Sequence, residues 1–116
     1  MPEPRFAFGP FVLNPENGTL LRQGLPVPVG YRGIRLLSAL IKSPGEVVTK
    51  SALMDAAWQG MAVKEGNLSV QVASLRKLLG PSAGGGDWIV TVPRIGYFFT
   101  GMVETVDGIS RSLQSI

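Results

Sequence analysis

The spacing of hydrophobic and polar positions changes twice along the chain. Over the first thirty residues, short apolar runs (FAF, FVL, TLLR and LPVP) alternate with turn residues, which predicts an antiparallel meander of three or four strands within residues 6–28. Asn17-Gly18 predicts a two-residue type I′ hairpin, because both residues tolerate a positive φ. Helical spacing begins near residue 31, and strand-like runs return near residue 88.

Three segments have the spacing of amphipathic helices, over about residues 31–43, 50–58 and 65–79. Pro44-Gly45 is expected to end the first helix, and Thr49 is expected to cap the second. Each helix should turn an apolar stripe toward the core. These stripes are Ile34, Leu37, Leu40 and Ile41 in the first helix, Leu53, Ala57 and Trp58 in the second, and Leu68, Val72, Leu75 and Leu79 in the third.

The last part of the domain has the pattern of a β-hairpin. The runs WIVTV and YFFT lie on either side of Pro93–Gly96, which predicts a hairpin over residues 88–100. Residues 102–116 show no clear period and are predicted to be a tail or linker. Residues 1–101 are thus predicted to form one α+β domain, a winged helix-turn-helix with an N-terminal antiparallel β-meander, three helices and a C-terminal β-hairpin wing.

The composition removes most catalytic chemistry. The 116 residues include no Cys and no His, so thiolate and imidazole metal sites, a Cys nucleophile and a His general base are excluded. Only eight acidic residues are present, and they are scattered. We therefore expect no enzyme, no cofactor and no metal. Since no apolar run approaches the length of a signal peptide core or a membrane span, we expect a soluble, cytoplasmic chain.

The positive charge is concentrated in two of the predicted helices. The net charge of +3 favours an anionic partner only weakly by itself. The first helix carries Arg32, Arg35 and Lys42 with no acid, and residues 62–80 carry three cations against Glu65 alone. We expect Arg32 and Arg35 to form a solvated helix face, with contact to phosphate as the alternative.

The third helix has a second regular face on another side from its apolar stripe. Asn67, Gln71 and Ser74 recur at i, i+4 and i+7, with Lys64 and Val70 nearby. One interpretation is a solvated face, but such faces are usually filled by Glu and Lys. The other is base recognition, because amides and hydroxyls can both donate to and accept from base edges. Fifteen helical residues span about 22 Å, enough to lie in a major groove.

Three motifs together carry a family resemblance. They are IRLLSALIKSPGEVVTKSALMDAAW (Ile34–Trp58), VKEGNLSVQVASLRKLLG (Val63–Gly80) and IVTVPRIGYFF (Ile89–Phe99). In this order and spacing, the chain resembles the OmpR/PhoB-type winged helix-turn-helix, the C-terminal DNA-binding domain of transcriptional regulatory proteins, over roughly residues 6–101. The wording EGNLSVQVASLRK is most similar to the subgroup that lacks a receiver and places the DNA-binding domain first.

The resemblance implies binding to double-stranded DNA as part of a bacterial-type transcriptional regulator. It implies that Glu65–Leu79 enters the major groove, that Pro93–Gly96 contacts the minor groove, and that the loop over residues 59–63 contacts RNA polymerase or a neighbouring protomer. Together with the residue chemistry above, it gives a candidate site. The site comprises Asn67, Val70, Gln71 and Ser74 as base-reading residues, Lys64, Arg76 and Lys77 as phosphate-binding residues, and Arg94 in the minor groove.

The chain departs from the family pattern in three places. Gly30 and Gly33 replace the Thr/Ser-x-x-Glu capping box that often opens the first helix. Ala73 and Ser74 lie where many members have arginine, and Phe98 replaces an arginine of the wing. We therefore expect low intrinsic affinity and dependence on a homodimer on DNA. The alternative function is a winged helix that binds another protein, for which an apolar rather than a basic surface on the third helix and wing would be expected.

Overall fold

Along the part of the chain that the structure describes, four strands precede the three helices and three strands follow them, with one short strand between the first two helices. The computed structural model describes residues 4–82 and 84–106. The elements in this part are β1 (Arg5–Phe8), β2 (Phe11–Asn14), β3 (Thr19–Arg22), β4 (Leu25–Pro26), α1 (Tyr31–Ile41), β5 (Val48–Thr49), α2 (Lys50–Trp58), α3 (Glu65–Leu79), β6 (Ile89–Val92), β7 (Gly96–Phe99) and β8 (Glu104–Val106).

The first sheet has the strand order β4-β3-β2-β1-β8, so the predicted meander is present. Its fifth strand differs from the sequence prediction, because β8 falls inside the segment 102–116 that was predicted to be a tail. β8 pairs antiparallel with β1, with Arg5 opposite Val106. A strand of three residues is too short to show a period, and its partner lies at the other end of the chain. Residues 107–116 lie outside the described residues.

The turns of the meander differ from the prediction at Asn17-Gly18. A four-residue loop joins β2 to β3, and Gly18 has a φ of +68° whereas Asn17 does not adopt a positive φ. The reason is Asn14, whose Oδ1 accepts hydrogen bonds from the amides of Glu16 and Asn17 at 3.1 Å and 3.4 Å. The two-residue turn lies instead at Gln23-Gly24, where both residues have positive φ.

The three helices carry the predicted apolar stripes, and all eleven stripe residues are buried. α2 begins as predicted, because Thr49 Oγ1 accepts a hydrogen bond from the amide of Ala52 at 3.1 Å. α1 ends at Ile41 rather than near residue 43. The amide of Lys42 donates a hydrogen bond to the Ser38 carbonyl oxygen at 3.1 Å, and that of Ser43 donates to the Leu40 carbonyl oxygen at 3.2 Å. These bonds close the last turn of the helix before Pro44.

Close packing around Gly33 accounts for the glycine that replaces the last residue of the capping box in α1. Gly30 precedes the helix and supplies no side-chain cap, as the loss of the capping box predicts. Gly33 is buried, and a Cβ atom there would lie 2.7 Å from Val29 Cγ1 and 3.4 Å from Leu75 Cδ2. The position therefore favours glycine because the Val29 side chain packs against it, whereas Leu75 of α3 lies at an ordinary van der Waals distance.

An aromatic cluster joins the first sheet to the C-terminal hairpin. The ring centre of Phe8 lies 5.2 Å from that of Phe11, 5.3 Å from that of Trp88 and 5.1 Å from that of Phe99. Both tryptophans, Trp58 and Trp88, are 6% exposed and belong to the core, which confirms the prediction made for Trp58. These edge and stacked contacts fix the root of the hairpin on the core.

The second sheet, with strand order β5-β7-β6, places the wing beside α2 and α3. β5 pairs antiparallel with β7, with Val48 opposite Tyr97 and Thr49 opposite Gly96. Gly96 permits this pairing, since a Cβ atom there would lie 2.0 Å from the Val48 carbonyl oxygen. β6 is therefore the outer strand of the wing, and one of its edges has no ladder partner among the strands of the described residues.

Candidate nucleic-acid interface

The polar face of α3 is exposed, as predicted. Asn67, Val70 and Ser74 are exposed and Gln71 is half-buried, whereas the apolar stripe of the same helix is fully buried. Val70 is the one large exposed apolar side chain of α3, at 66% exposure. A half-buried amide has fewer rotamers to lose on binding than a free one. The helix therefore presents a polar surface whose amide and hydroxyl groups are accessible.

Exposed cations lie at both ends of this surface. Lys64 directly precedes α3 and Lys77 lies in its last turn, and neither has an ion-pair partner among the described residues. Glu65, the acid of the first turn, accepts from Lys50 Nζ at 2.9 Å, which links the starts of α2 and α3. A pair this exposed contributes little stability, but Lys50 offsets the negative charge of Glu65 close to the candidate interface.

The structure places the guanidinium group of Arg76 against the wing. Its Nε and Nη2 donate to the Ile89 carbonyl oxygen at 3.1 Å and 3.0 Å, and Nη2 also donates to Thr91 Oγ1 at 2.7 Å. The Arg76 Cζ atom lies 5.9 Å from the centre of the Tyr97 ring. The sequence predicted a phosphate contact for Arg76, whereas two of its three nitrogens are bound within the protein.

Arg32 and Arg35 do not form the solvated face that the sequence predicted. Arg32 Nη1 donates to the Ala57 carbonyl oxygen at 2.7 Å, and Arg35 Nε donates to that of Ala56 at 2.9 Å. Arg32 also stacks over Trp58, with Cζ 5.4 Å from the ring centre. Both arginines therefore bind the C-terminal carbonyls of α2, where the helix dipole favours cations. The sequence contained a signal for this contact: α2 has no basic residue in its own last turn, so its C-terminal carbonyls were open to cations from another helix.

The tip of the wing holds Arg94 in an unusual backbone conformation. Its φ is +71°, in the left-handed region that disfavours residues with a Cβ atom. Pro93 precedes it, and the Ile95 amide donates to the Val92 carbonyl oxygen at 3.1 Å, which is the pattern of a type II turn. The Lys50 amide donates to the Ile95 carbonyl oxygen at 3.0 Å and holds the tip near α2. The Arg94 side chain is exposed.

These elements define a winged helix-turn-helix domain. An exposed polar helix lies between free cations, and a β-hairpin beside it carries an exposed arginine at its tip. Within residues 4–82 and 84–106, no group of His, Cys, Asp or Glu could hold a metal ion. None of the helices in this part of the chain is long and apolar enough to span a membrane. The geometry fits an extended polyanion rather than a small substrate.

Sequence comparison identifies the family. Residues 24–99 match the model of the family described as transcriptional regulatory protein, C terminal. The match covers β4 to β7 and thus includes the polar helix and the wing. The chain belongs to this family, the OmpR/PhoB-type DNA-binding domains of transcriptional regulators. The family is one of DNA-binding regulator domains rather than enzymes.

Two curated relatives are activators from Vibrio. The chain is 31% identical over 102 residues to the cholera toxin transcriptional activator of Vibrio cholerae serotype O1, which covers 84% of this chain and 35% of that protein. It is 31% identical to the cholera toxin homolog transcriptional activator of Vibrio parahaemolyticus over 111 residues, and this alignment covers 91% of this chain and 38% of that protein. The chain therefore spans little more than a third of the length of these two relatives.

Solved structures of the same fold include domains of bacterial regulators. The DNA-binding domain of E. coli CadC superposes with a TM-score of 0.74 at 25% identity and covers 90% of this chain and 99% of that one. The DNA-binding domain of E. coli CpxR superposes with a TM-score of 0.76 at 21% identity and covers 84% and 96%. These likenesses confirm the winged helix-turn-helix fold.

Proposed function

We propose that this domain binds a specific sequence of double-stranded DNA, with α3 in the major groove and the tip of the wing in the adjacent minor groove. The observation that carries this proposal is the position of Asn67, Gln71 and Ser74 on the exposed side of α3, between the free cations Lys64 and Lys77. Asn and Gln can bind adenine through two hydrogen bonds, and serine can bind several bases. Val70, which is exposed between them, suits contact with a thymine methyl group.

The cations supply the affinity that does not depend on sequence. Lys64 and Lys77 bind phosphates at the two ends of α3, and Arg94 adds a third positive charge at the wing tip. A narrow minor groove has an enhanced negative potential, which attracts an inserted arginine. Nη1 of Arg76, which makes no hydrogen bond to the described residues, supports a weaker phosphate contact than the sequence alone suggests.

The exposed chemistry of α3 favours DNA over a protein partner. A surface adapted to another protein would be expected to present a contiguous apolar patch. On α3 the exposed surface is polar, with Val70 as its single large apolar residue, and at the wing tip the exposed Ile95 lies beside the exposed Arg94, so the two elements present separate apolar residues and not a contiguous apolar patch. Because the chromosome is the ligand in this proposal, the domain acts in the cytoplasm.

The loop over residues 59–63 is proposed to bind RNA polymerase or a neighbouring protomer. Gln59 and Gly60 have positive φ values of 44° and 82°, so the loop turns sharply after α2 and leaves Met61 60% exposed. An exposed methionine suits an adaptable protein contact. A transcription assay with a Met61 variant of unchanged DNA affinity tests this role.

The decisive experiment is selection of bound fragments from a random duplex pool at near-physiological salt. We expect one enriched motif, and two copies at fixed spacing would show a homodimer on DNA. Affinity for that motif should fall with salt at a log–log slope of roughly −3 for each bound protomer, because the three cations of a protomer each contribute about −0.9. No enrichment, or binding that ignores salt, would contradict the proposal.

A matched pair of variants separates base reading from phosphate binding. Gln71→Ala should relax the preference at one position of the motif, at a cost of about 1–3 kcal/mol for the preferred base only. Lys77→Ala should weaken all sequences alike and reduce the magnitude of the salt slope by about 0.9. If Gln71→Ala left every position of the motif unchanged, Gln71 would not be a base-reading residue.

A further inference from the structure

We propose that Arg76 is a positioning residue that fixes the wing relative to the DNA-binding helix α3. This inference rests on the proposed function and assigns Arg76 a role different from a phosphate contact. It acts through Arg94, since the wing tip can meet the minor groove only if the hairpin is held at the correct angle to α3.

The first observation is the set of acceptors that Arg76 uses. In the order β5-β7-β6, β6 is an edge strand, and the Trp88 carbonyl oxygen accepts from the Thr100 amide at 2.9 Å on the β7 side. Successive carbonyls of a strand point in opposite directions, so that of Ile89 faces the open edge. Arg76 satisfies this outward carbonyl through Nε and Nη2 and reaches Thr91 Oγ1 at 2.7 Å. One side chain of α3 therefore binds two points of the wing.

The second observation is the side of α3 from which Arg76 projects. Each residue advances about 100° around an α-helix, so Arg76 lies about 160° from Ser74 and about 180° from Asn67. Arg76 is therefore on the opposite side of the helix from the base-reading residues. Its half-buried side chain stacks near the Tyr97 ring of β7 as well, so it contacts both strands of the hairpin.

The third observation is the distance along the wing between the residues that Arg76 binds, Ile89 and Thr91, and the tip residue Arg94. Thr91 precedes Arg94 by three residues, which is at most about 10 Å of chain. A rotation of the hairpin at the level of Thr91 therefore also displaces the Arg94 side chain at the tip. The Lys50–Ile95 bond holds the tip on the α2 side, and Arg76 holds the hairpin on the α3 side. A hairpin held on the α2 side alone must be ordered further when DNA binds, and that cost offsets the gain from the Arg94 contact. With Arg76 in place, the ordering has already occurred on folding.

The test is a double-mutant cycle on DNA affinity, measured with the selected duplex well below the melting temperature. Arg76→Lys keeps the charge but loses the planar fork that holds two acceptors. We expect Arg94→Ala to cost about tenfold in the otherwise unchanged chain, as for one charge-assisted contact. In the Arg76→Lys chain, already about tenfold weaker, Arg94→Ala should cost less than twofold.

Two controls make the outcome specific. Lys77→Met removes a neighbouring cation that does not touch the wing, and its effect should multiply with that of Arg94→Ala. Thr91→Val deletes one acceptor at an exposed position, so it should fold, and it should reduce the effect of Arg94→Ala, whereas Thr91→Ser should preserve it.

Wild-type affinity of Arg76→Lys, or a full tenfold effect of Arg94→Ala in the Arg76→Lys and Thr91→Val chains alike, would overturn the positioning role and leave DNA binding intact. If the unchanged chain bound no duplex at all, the proposed function itself would be wrong.

Discussion

Replacing Arg94 by glycine should stabilise the fold while weakening DNA binding. The residue has a φ of +71°, and a left-handed conformation costs an L-residue with a Cβ atom about 1–2 kcal/mol. Glycine removes this cost but adds about 0.4–1 kcal/mol of unfolded-state entropy. With the midpoints of these two ranges, the net gain is about 0.8 kcal/mol. For a domain of this size it corresponds to a rise in melting temperature of about 3–6 °C, measurable by calorimetry or circular dichroism.

The same change should lower DNA affinity. Within the described residues the Arg94 guanidinium makes no hydrogen bond or ion pair, so its removal costs the fold no contact. In the proposed complex it removes one cation from the minor groove. The affinity for the selected duplex should fall about tenfold. The log–log salt slope should lose about 0.9 in magnitude, because one fewer counterion is released.

Two further variants separate backbone strain from charge. Arg94→Ala removes the charge but keeps the Cβ atom, so it should lose the same DNA affinity without any gain in melting temperature. Arg94→Asn should regain part of the stability, since asparagine tolerates positive φ better than other residues do. A glycine variant no more stable than wild type would refute the strain argument. Undiminished affinity would refute the role of the wing tip.

Patterns within single elements were predictable from the sequence. Leu68, Val72, Leu75 and Leu79 fix one side of α3 by spacing alone, and all four are buried. Thr49 caps α2 because the cap needs only its own side chain and an amide three residues later. Such features depend on residues that are near in sequence, so the spacing contains the necessary information.

Features that depend on distant residues were not predictable in the same way. β8 exists because β1 offers an unpaired edge, although a hundred residues separate Arg5 from Val106. The two-residue turn predicted at Asn17-Gly18 does not form, because the Asn14 side chain accepts hydrogen bonds from the loop amides of Glu16 and Asn17. A hairpin motif therefore gives the place of a reversal more reliably than its type.

The arginines show the same limit for the candidate site. From sequence, Arg32 and Arg35 were expected to form a solvated face and Arg76 to bind phosphate, but each donates to a backbone carbonyl 13 to 25 residues away in the chain. An arginine has five N–H donors and pairs readily with unsatisfied carbonyls at helix ends and sheet edges. Lys64, Lys77 and Arg94, for which no such acceptor is found in the described part of the chain, are the cations that the proposed complex would use.

Two other changes probe the root of the wing and the loop after α2. Gly96→Ala would place a Cβ atom 2.0 Å from the Val48 carbonyl oxygen, so the strands β5 and β7 must separate. We expect a loss of about 1–3 kcal/mol in urea unfolding, with Gly66→Ala in open space on α3 as a neutral or stabilising control; equal stability of the two variants would contradict the close pairing. Met61→Asp should lower transcription from a promoter carrying the selected motif several-fold at unchanged DNA affinity, because a charge opposes an apolar protein contact. Met102→Asp, at 88% exposure outside the loop, should have no effect, and equal transcription from all three chains would exclude the loop as a contact.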